Sequence, residues 1–300
     1  MKILAFGEIL WDIFGDKKEI GGAPFNFAAH AAKLGTDVSM VSALGSDELG
    51  KNALTFVRKY GIRNDYIAFT DKPTGFCRVT LCGEKPRYEL VTGVAYDYIP
   101  CPAVCGPYDA FYFGTLAQRN SASRATLETL LKSVNAAEVF FDINIRQNFY
   151  SKEIVENSLK HTTILKISRE EMQVFAELGI ADASSPEALC VSLAKKYPIQ
   201  IIIVTLDRDG ALLYTKEGFL YSRKPESRVV STVGAGDSMV SGMVWGLSQG
   251  LSPRDMAQLG VACGSAATMN QGTELFLRDD VDRLLEWIKS YGERFQLRDL

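Results

Sequence analysis

The sequence predicts an α/β fold, with a mostly parallel central sheet covered by helices and a small β-sheet lid. Three observations lead there. Strand-like apolar runs alternate with helix-like segments along most of the chain, an order that builds parallel sheets. The run "IQIIIVTL" (199–206) is apolar without a break from Ile201 to Val204 and rich in β-branched residues, as a strand buried on both faces requires. Two stretches, "WDIFGDKKEIGG" (11–22) and "KPTGFCRVTLCGEKPRYELVTG" (72–93), break the alternation. They hold short segments separated by Gly and Pro with no helix between them, which reads as hairpins outside the main layer.

Taken in order, "KILAFG" (2–7) is the first strand. Acidic Glu8 and Asp12 interrupt the apolar run behind it and no small-residue cleavage pattern follows, so it does not read as a secretory signal. "APFNFAAHAAKLG" (23–35) is a helix with Gly35 as its stop. "DVSMVSALG" (37–45) is a strand, and "DELGKNALTFVRKYG" (47–61) a helix ending at Gly61. Further on, "AEVFFDIN" (137–144) and "TTILKIS" (162–168) are strands. "SKEIVENSLKH" (151–161), "REEMQVFAELG" (169–179) and "PEALCVSLAKKY" (186–197) are helices. No repeat or low-complexity linker divides the chain, so one domain over 1–300 is expected, with lid segments at about 11–20 and 74–92.

Composition narrows the function. Of 300 residues, 47% are hydrophobic and 23% charged, enough apolar content for a sizeable core. A net charge of -3 argues against a polyanion binder, so no nucleic-acid partner is expected. No run approaches the roughly 18 apolar residues of a membrane span, and a cytoplasmic protein is expected. The six cysteines read as reduced, packed thiols. A metal at "CPAVCG" would need two more ligands, with only His30 and His161 to supply them. His30, among alanines on a helix, reads as packed.

Two stretches carry chemistry. In "VVSTVGAGDSMVSGMVWGL" (229–247), tiny residues lead from an extended segment into an apolar helix. The N–H groups of Val233 through Gly236 would face one space, and helix N-termini hold anions. A carboxylate at Asp237 suits no pure anion site, but it suits a base that deprotonates a nucleophile while the amides neutralise a transferred group. A helix-capping carboxylate is the other reading. In "GEILWDIF…IGGAPFNFAAH", Asp12, Gly22 and Asn26 offer what a polyol requires, acceptors and donors beside bare backbone. A Gly-Pro turn with an Asn cap is the alternative there. No G-x-x-x-x-G-K-[ST] occurs, and the glycine after Gly236 is Gly242, so both the P-loop and the G-x-G-x-x-G spacing fail. Neither G-x-S-x-G nor H-E-x-x-H is present.

The paired stretches "GGAPFNFAAHAAKLG" and "VGAGDSMVSG", with "DINIRQNFY" between them, resemble the signatures of the PfkB, or ribokinase-like, carbohydrate kinases along essentially the whole chain. The "GGAP-x-N" form is similar to the fructokinase branch. The resemblance implies a ribokinase-like αβα sandwich with a β-lid that moves the γ-phosphate of ATP to a sugar hydroxyl with Mg²⁺, fructose first among acceptors. It implies a catalytic base at Asp237 and an anion hole at Gly234, Ala235 and Gly236. Asp12, Gly22 and Asn26 match sugar-holding residues. Arg146 of "DINIR" matches a residue near the sugar or transferred phosphate, with a surface ion pair as its alternative. On the nucleotide side it implies roles for Ser168, Thr205, Asp207, Gly210 and Gly236, and for Glu171 on Mg²⁺ through water. Here the chain departs from the pattern. Ser168 replaces Asn, Asp207 replaces Gly, and Val261 stands where many relatives have Asn by the adenine. Ser231 replaces an Asp that helps bind a monovalent cation, which argues against K⁺ dependence. A homodimer through the lid is also implied. The alternatives are a PfkB kinase for a ketose phosphate, a 2-keto sugar acid or a nucleoside, and, from another class, a non-catalytic sugar-binding regulator.

Overall fold

The computed structural model describes residues 1–82, 85–270 and 275–292. Its central element is a nine-stranded sheet whose first strand, β1 (Lys2–Phe6), lies near the middle. The chain leaves β1 for a four-stranded lid formed by β2 (Leu10–Phe14), β3 (Lys17–Gly21), β6 (Gly75–Cys82) and β7 (Lys85–Leu90). Between the two lid hairpins it forms α1 (Ala23–Lys33), β4 (Asp37–Gly45), α2 (Glu48–Lys59) and β5 (Ile67–Thr70). Strands β4 and β5 extend the main sheet on one side of β1.

The chain then returns to the opposite side of β1. There it lays down β8 (Tyr108–Gly114), α3 (Ser121–Ser133), β9 (Ala136–Asp142), α4 (Lys152–Leu159) and β10 (Ile164–Ser168). Next come α5 (Met172–Glu177), α6 (Pro186–Lys196) and β11 (Ile201–Thr205), then the antiparallel edge strands β12 (Ala211–Thr215) and β13 (Gly218–Ser222). Helices α7 (Ala235–Ser248), α8 (Pro253–Ala267) and α9 (Arg278–Gly292) close the chain. All pairings from β5 to β11 are parallel.

Alternation along β1 shows how sequence builds the layers. Ile3 and Ala5 belong to the apolar cluster shared with residues of α1, α7, α8 and α9, while Leu4 and Phe6 face the cluster under α3 to α6. Successive side chains of a strand point to opposite faces, so a strand covered on both sides must be apolar throughout. Helix starts follow side-chain chemistry: Asp47, Ser151, Ser185 and Ser252 each accept from a first-turn amide of α2, α4, α6 and α8. α1, α5 and α7 have no such cap, and of these α7, which starts at Gly234, matters most for the site.

Several expectations need adjusting. The reading of 169–179 as helix is too long, because Arg169–Glu171 is a turn tied to the cleft described below and α5 starts only at Met172. Sequence patterning also named neither β8 nor the β12–β13 hairpin. Cys77, Cys190 and Cys263 are buried free thiols, but Cys101 and Cys105 are exposed rather than packed. His30 is buried against Phe276, ring centroids 4.8 Å apart, and burial lowers its pKa to about 3. Among the described residues no helix is long and apolar enough to cross a membrane.

Candidate active site

A cleft of about 990 Å³ runs along the carboxyl ends of the parallel strands, with residues of the lid forming one wall. Asp12 enters from lid strand β2, where it pairs with Cys77 of β6 across the ladder. Gly22 and Asn26 come from the start of α1, and Arg146 from the segment after β9. Gly234, Ala235, Gly236 and Asp237 come from the start of α7. Ser168, Glu171, Thr205, Asp207, Gly210 and Val261 line the remainder. The fold therefore brings every site residue expected from the sequence to one cavity.

Asp237 is the third residue of α7, yet it does not cap the helix. Its Oδ2 instead accepts from Asn26 Nδ2 at 2.9 Å. Asn26 is not a cap either, since it lies inside α1 and its own N–H donates to Gly22 O at 2.8 Å. The two sequence motifs thus meet through a side-chain pair spanning 211 residues. Burial, then the charge of Asp142, push the Asp237 carboxyl up to about 6, against the opposing pull of Asn26, Lys166 and Arg146.

The amide nest differs from the expected one. Val233 N donates to Ser231 Oγ and Ala235 N to Thr232 O, so those two are occupied. The amides of Gly234, Gly236 and Asp237 have no acceptor among the described residues. Gly234 makes the turn with φ +75, a left-handed conformation that glycine adopts without steric cost.

Four side chains to which the sequence reading gave no role, Lys166, Asp142, Tyr112 and Glu8, lie at the cleft or connect to its lining by hydrogen bonds. Lys166, in the middle of β10, is buried and its Nζ donates to Asp142 Oδ1 at 3.0 Å. A side chain at Gly236 would begin 3.5 Å from that Nζ, so the lysine lies directly under the start of α7. Burial works to lower the Lys166 pKa, but Asp142 and Glu171 outweigh it and hold the ammonium protonated. Tyr112 OH donates to the other Asp142 oxygen at 3.2 Å. Glu8, just after β1, also lines the cleft. A lysine in a strand is the signal that was available, since an unpaired ammonium does not belong in a sheet covered on both faces.

Arg146 is exposed, its Nη1 donates to Ile145 O at 3.0 Å, and it forms no ion pair among the described residues. Its neighbours Asn144 and Gln147 hold left-handed backbone, φ +39 and +49. Burial, then Glu19, raise the Asp12 carboxyl to about 6.

Glu171 is committed to backbone: Oε1 accepts from Ile145 N at 2.8 Å and Oε2 from Ser168 N at 2.7 Å. Burial would raise its pKa, but Lys166 and these amides outweigh that, and its carboxylate is held below the ordinary range. No group of three Asp, Glu, His or Cys side chains suited to a metal occurs among the described residues. Divalent magnesium commonly arrives on nucleotide phosphates with few protein carboxylates, and a fixed, ionised Glu171 at the cleft fits contact through water. Asp207, where the resemblance has glycine, keeps left-handed backbone at φ +53. A side chain at Gly210 would meet Ser222 O at 2.0 Å.

A parallel sheet with a β-lid over its carboxyl ends, and a glycine-led helix start facing the lid residues, defines the ribokinase-like class of α/β fold. The fructokinase of Xylella fastidiosa, solved with bound ATP, superposes with a TM-score of 0.86 at 22% identity, covering 95% of this chain and 98% of that one. The chain belongs to the pfkB family of carbohydrate kinases, whose pattern matches residues 5–279. It is 25% identical, over 320 aligned positions, to an ATP-dependent 6-phosphofructokinase of Thermoanaerobacterium thermosaccharolyticum, covering 99% of this chain and 95% of the relative. It is 27% identical to the aminoimidazole riboside kinase of Salmonella typhimurium, over 83% of this chain and 81% of that protein.

Proposed function

We propose that this kinase transfers the γ-phosphoryl group of ATP to a hydroxyl of an unphosphorylated sugar, fructose first. The observation that carries the reading is the 2.9 Å contact between Asn26 and Asp237, which puts the sugar motif and the base motif in one hydrogen bond. The sugar lies between the lid and the strand ends, held by Asp12 and Asn26 with the bare backbone of Gly22 beside them. Asp237, with a carboxyl near 6, is ionised at neutral pH and close enough to it to take the proton of the attacking hydroxyl efficiently.

Charge that develops on the moving phosphoryl group meets the open amides of Gly234, Gly236 and Asp237, the ammonium of Lys166 beneath them and the guanidinium of Arg146. Thr205, Asp207, Gly210 and Ser168 face the nucleotide. Glu171 would hold Mg²⁺ through water, and there the ion would supply neutralisation of the nucleotide's phosphate charge. Lid closure excludes water, so that ATP is not lost to hydrolysis.

The test is ADP release across fructose, fructose 6-phosphate, a 2-keto sugar acid and a nucleoside. The neutral ketose is expected to show the highest kcat/KM. A higher value for the sugar phosphate would replace this reading with the ketose-phosphate alternative. Tight sugar binding with no phosphorylated product would favour the regulator.

A further inference from the structure

Glu8 occupies a position where a ligand is expected on topological grounds. From β1 the chain first builds outward through β4 and β5, then returns to build the other side through β8. Open α/β sheets bind ligands at the carboxyl ends of strands where the order reverses in this way. Glu8 is the second residue beyond the end of β1 and lines the cleft beneath the lid, beside Leu10, Asp12 and Cys77.

Its side chain is unfinished. Glu8 is only 2% exposed, and its Oε2 has no hydrogen-bond partner among the described residues. A buried carboxylate oxygen without a donor costs free energy that a folded chain normally avoids. The backbone opposite is kept bare: at Gly22, φ +107, a Cβ would lie 3.2 Å from Glu8 Cγ and 2.6 Å from Glu8 O. Burial, with the charge of Asp237 added, raises the Glu8 carboxyl to about 7, while its own backbone amide, Arg146 and the Ala23 amide pull it down.

We propose that Glu8 is a direct sugar ligand that selects neutral polyhydroxyl substrates over phosphorylated or carboxylated ones. A hydroxyl both donates and accepts, so it satisfies Glu8 whether or not the acid holds its proton. A fully ionised phosphate offers acceptors alone and adds negative charge beside Glu8, Asp12 and Glu19. This assignment rests on the kinase reading for what occupies the cleft, and it gives that reading its substrate class.

The experiment measures sugar affinity by calorimetry, separately from turnover, for fructose and fructose 6-phosphate. Wild type is compared with Glu8→Met, similar in length and apolar, and with Glu8→Gln. Glu8→Met is expected to weaken fructose binding roughly 10- to 100-fold and to narrow its margin over the phosphate. It should also raise the ligand-free Tm by about 2–4 °C, because an unpaired buried oxygen is gone. Glu8→Gln keeps the shape but loses the stronger, charge-assisted hydrogen bond that the ionised acid accepts, and should cost roughly tenfold in fructose affinity. Unchanged fructose affinity in either variant overturns the proposal. So does weaker binding with a lower Tm in Glu8→Met, which marks a structural role, and so does a wild type that binds no neutral sugar. If wild type binds fructose through Glu8 yet makes no phosphorylated product, the kinase reading fails and this assignment stands. Should Glu8→Met not fold, the Glu8→Gln affinity decides.

Discussion

At the scale of single residues, Asp237 gathers the most consequences. Replacing it with Asn removes the proton acceptor while preserving shape and the contact to Asn26. We expect kcat to fall by about 10²- to 10⁴-fold with sugar affinity largely intact, read by steady-state kinetics and calorimetry. A near-normal kcat would remove Asp237 from the base role. The wild-type kcat/KM should fall as pH drops below about 6, because the raised carboxyl then takes up a proton. A flat profile down to pH 5 would contradict that. The spacing of the glycines made Asp237 and Asn26 visible in the sequence, but not that they bond to one another. Glu8, Asp142 and Lys166 were hidden for a physical reason. Each sits in or next to an apolar strand, where patterning reads a charged residue as an interruption and says nothing of its partner.

Among elements, β9 and β10 deserve the closest attention, since they carry Asp142 and Lys166 into the interior as a pair with side-chain exposures of 0% and 8%. Breaking such a pair from one side strands a buried charge. Lys166→Met should therefore lower stability by about 3–5 kcal/mol in urea unfolding, with Asp142→Leu added to it recovering most of the loss. Equal stability of the single variant and wild type would show the pair to be dispensable. Continuous apolar strands such as β11 were legible because burial on both faces leaves one composition. α5 was overextended because helical periodicity continues through 169–171, whereas Glu171 gives its carboxylate to the amides of Ser168 and Ile145. Site geometry overrode local propensity there.

For the molecule as a whole, the alternation of strand and helix revealed the layered architecture, and Gly- and Pro-punctuated segments revealed the lid. The parallel β2–β6 pairing that joins the two lid hairpins was not legible, because it depends on contacts across more than sixty residues of chain. The lid carries its own reporter. Trp11 on β2 donates from Nε1 to Leu49 O at 3.1 Å and meets Phe56 edge-on at 5.8 Å, next to Asp12. Closure over a bound sugar should shift its emission, and Trp11→Phe should abolish most of the sugar-induced fluorescence change. A change that survives this substitution would come from Trp245 or Trp287 instead and would argue against lid movement.

The bond between Asn26 and Asp237 also has a temporal meaning. Asn26 leaves the ribosome early, and its partner is made only after three-quarters of the chain has been synthesised. Any fragment ending before Gly234 has a sugar motif with no acceptor for its amide, so catalysis is the last property the nascent chain acquires. On dilution from denaturant, turnover should accordingly return later than the helical signal, because competence waits for the two distant ends of the sequence to find each other.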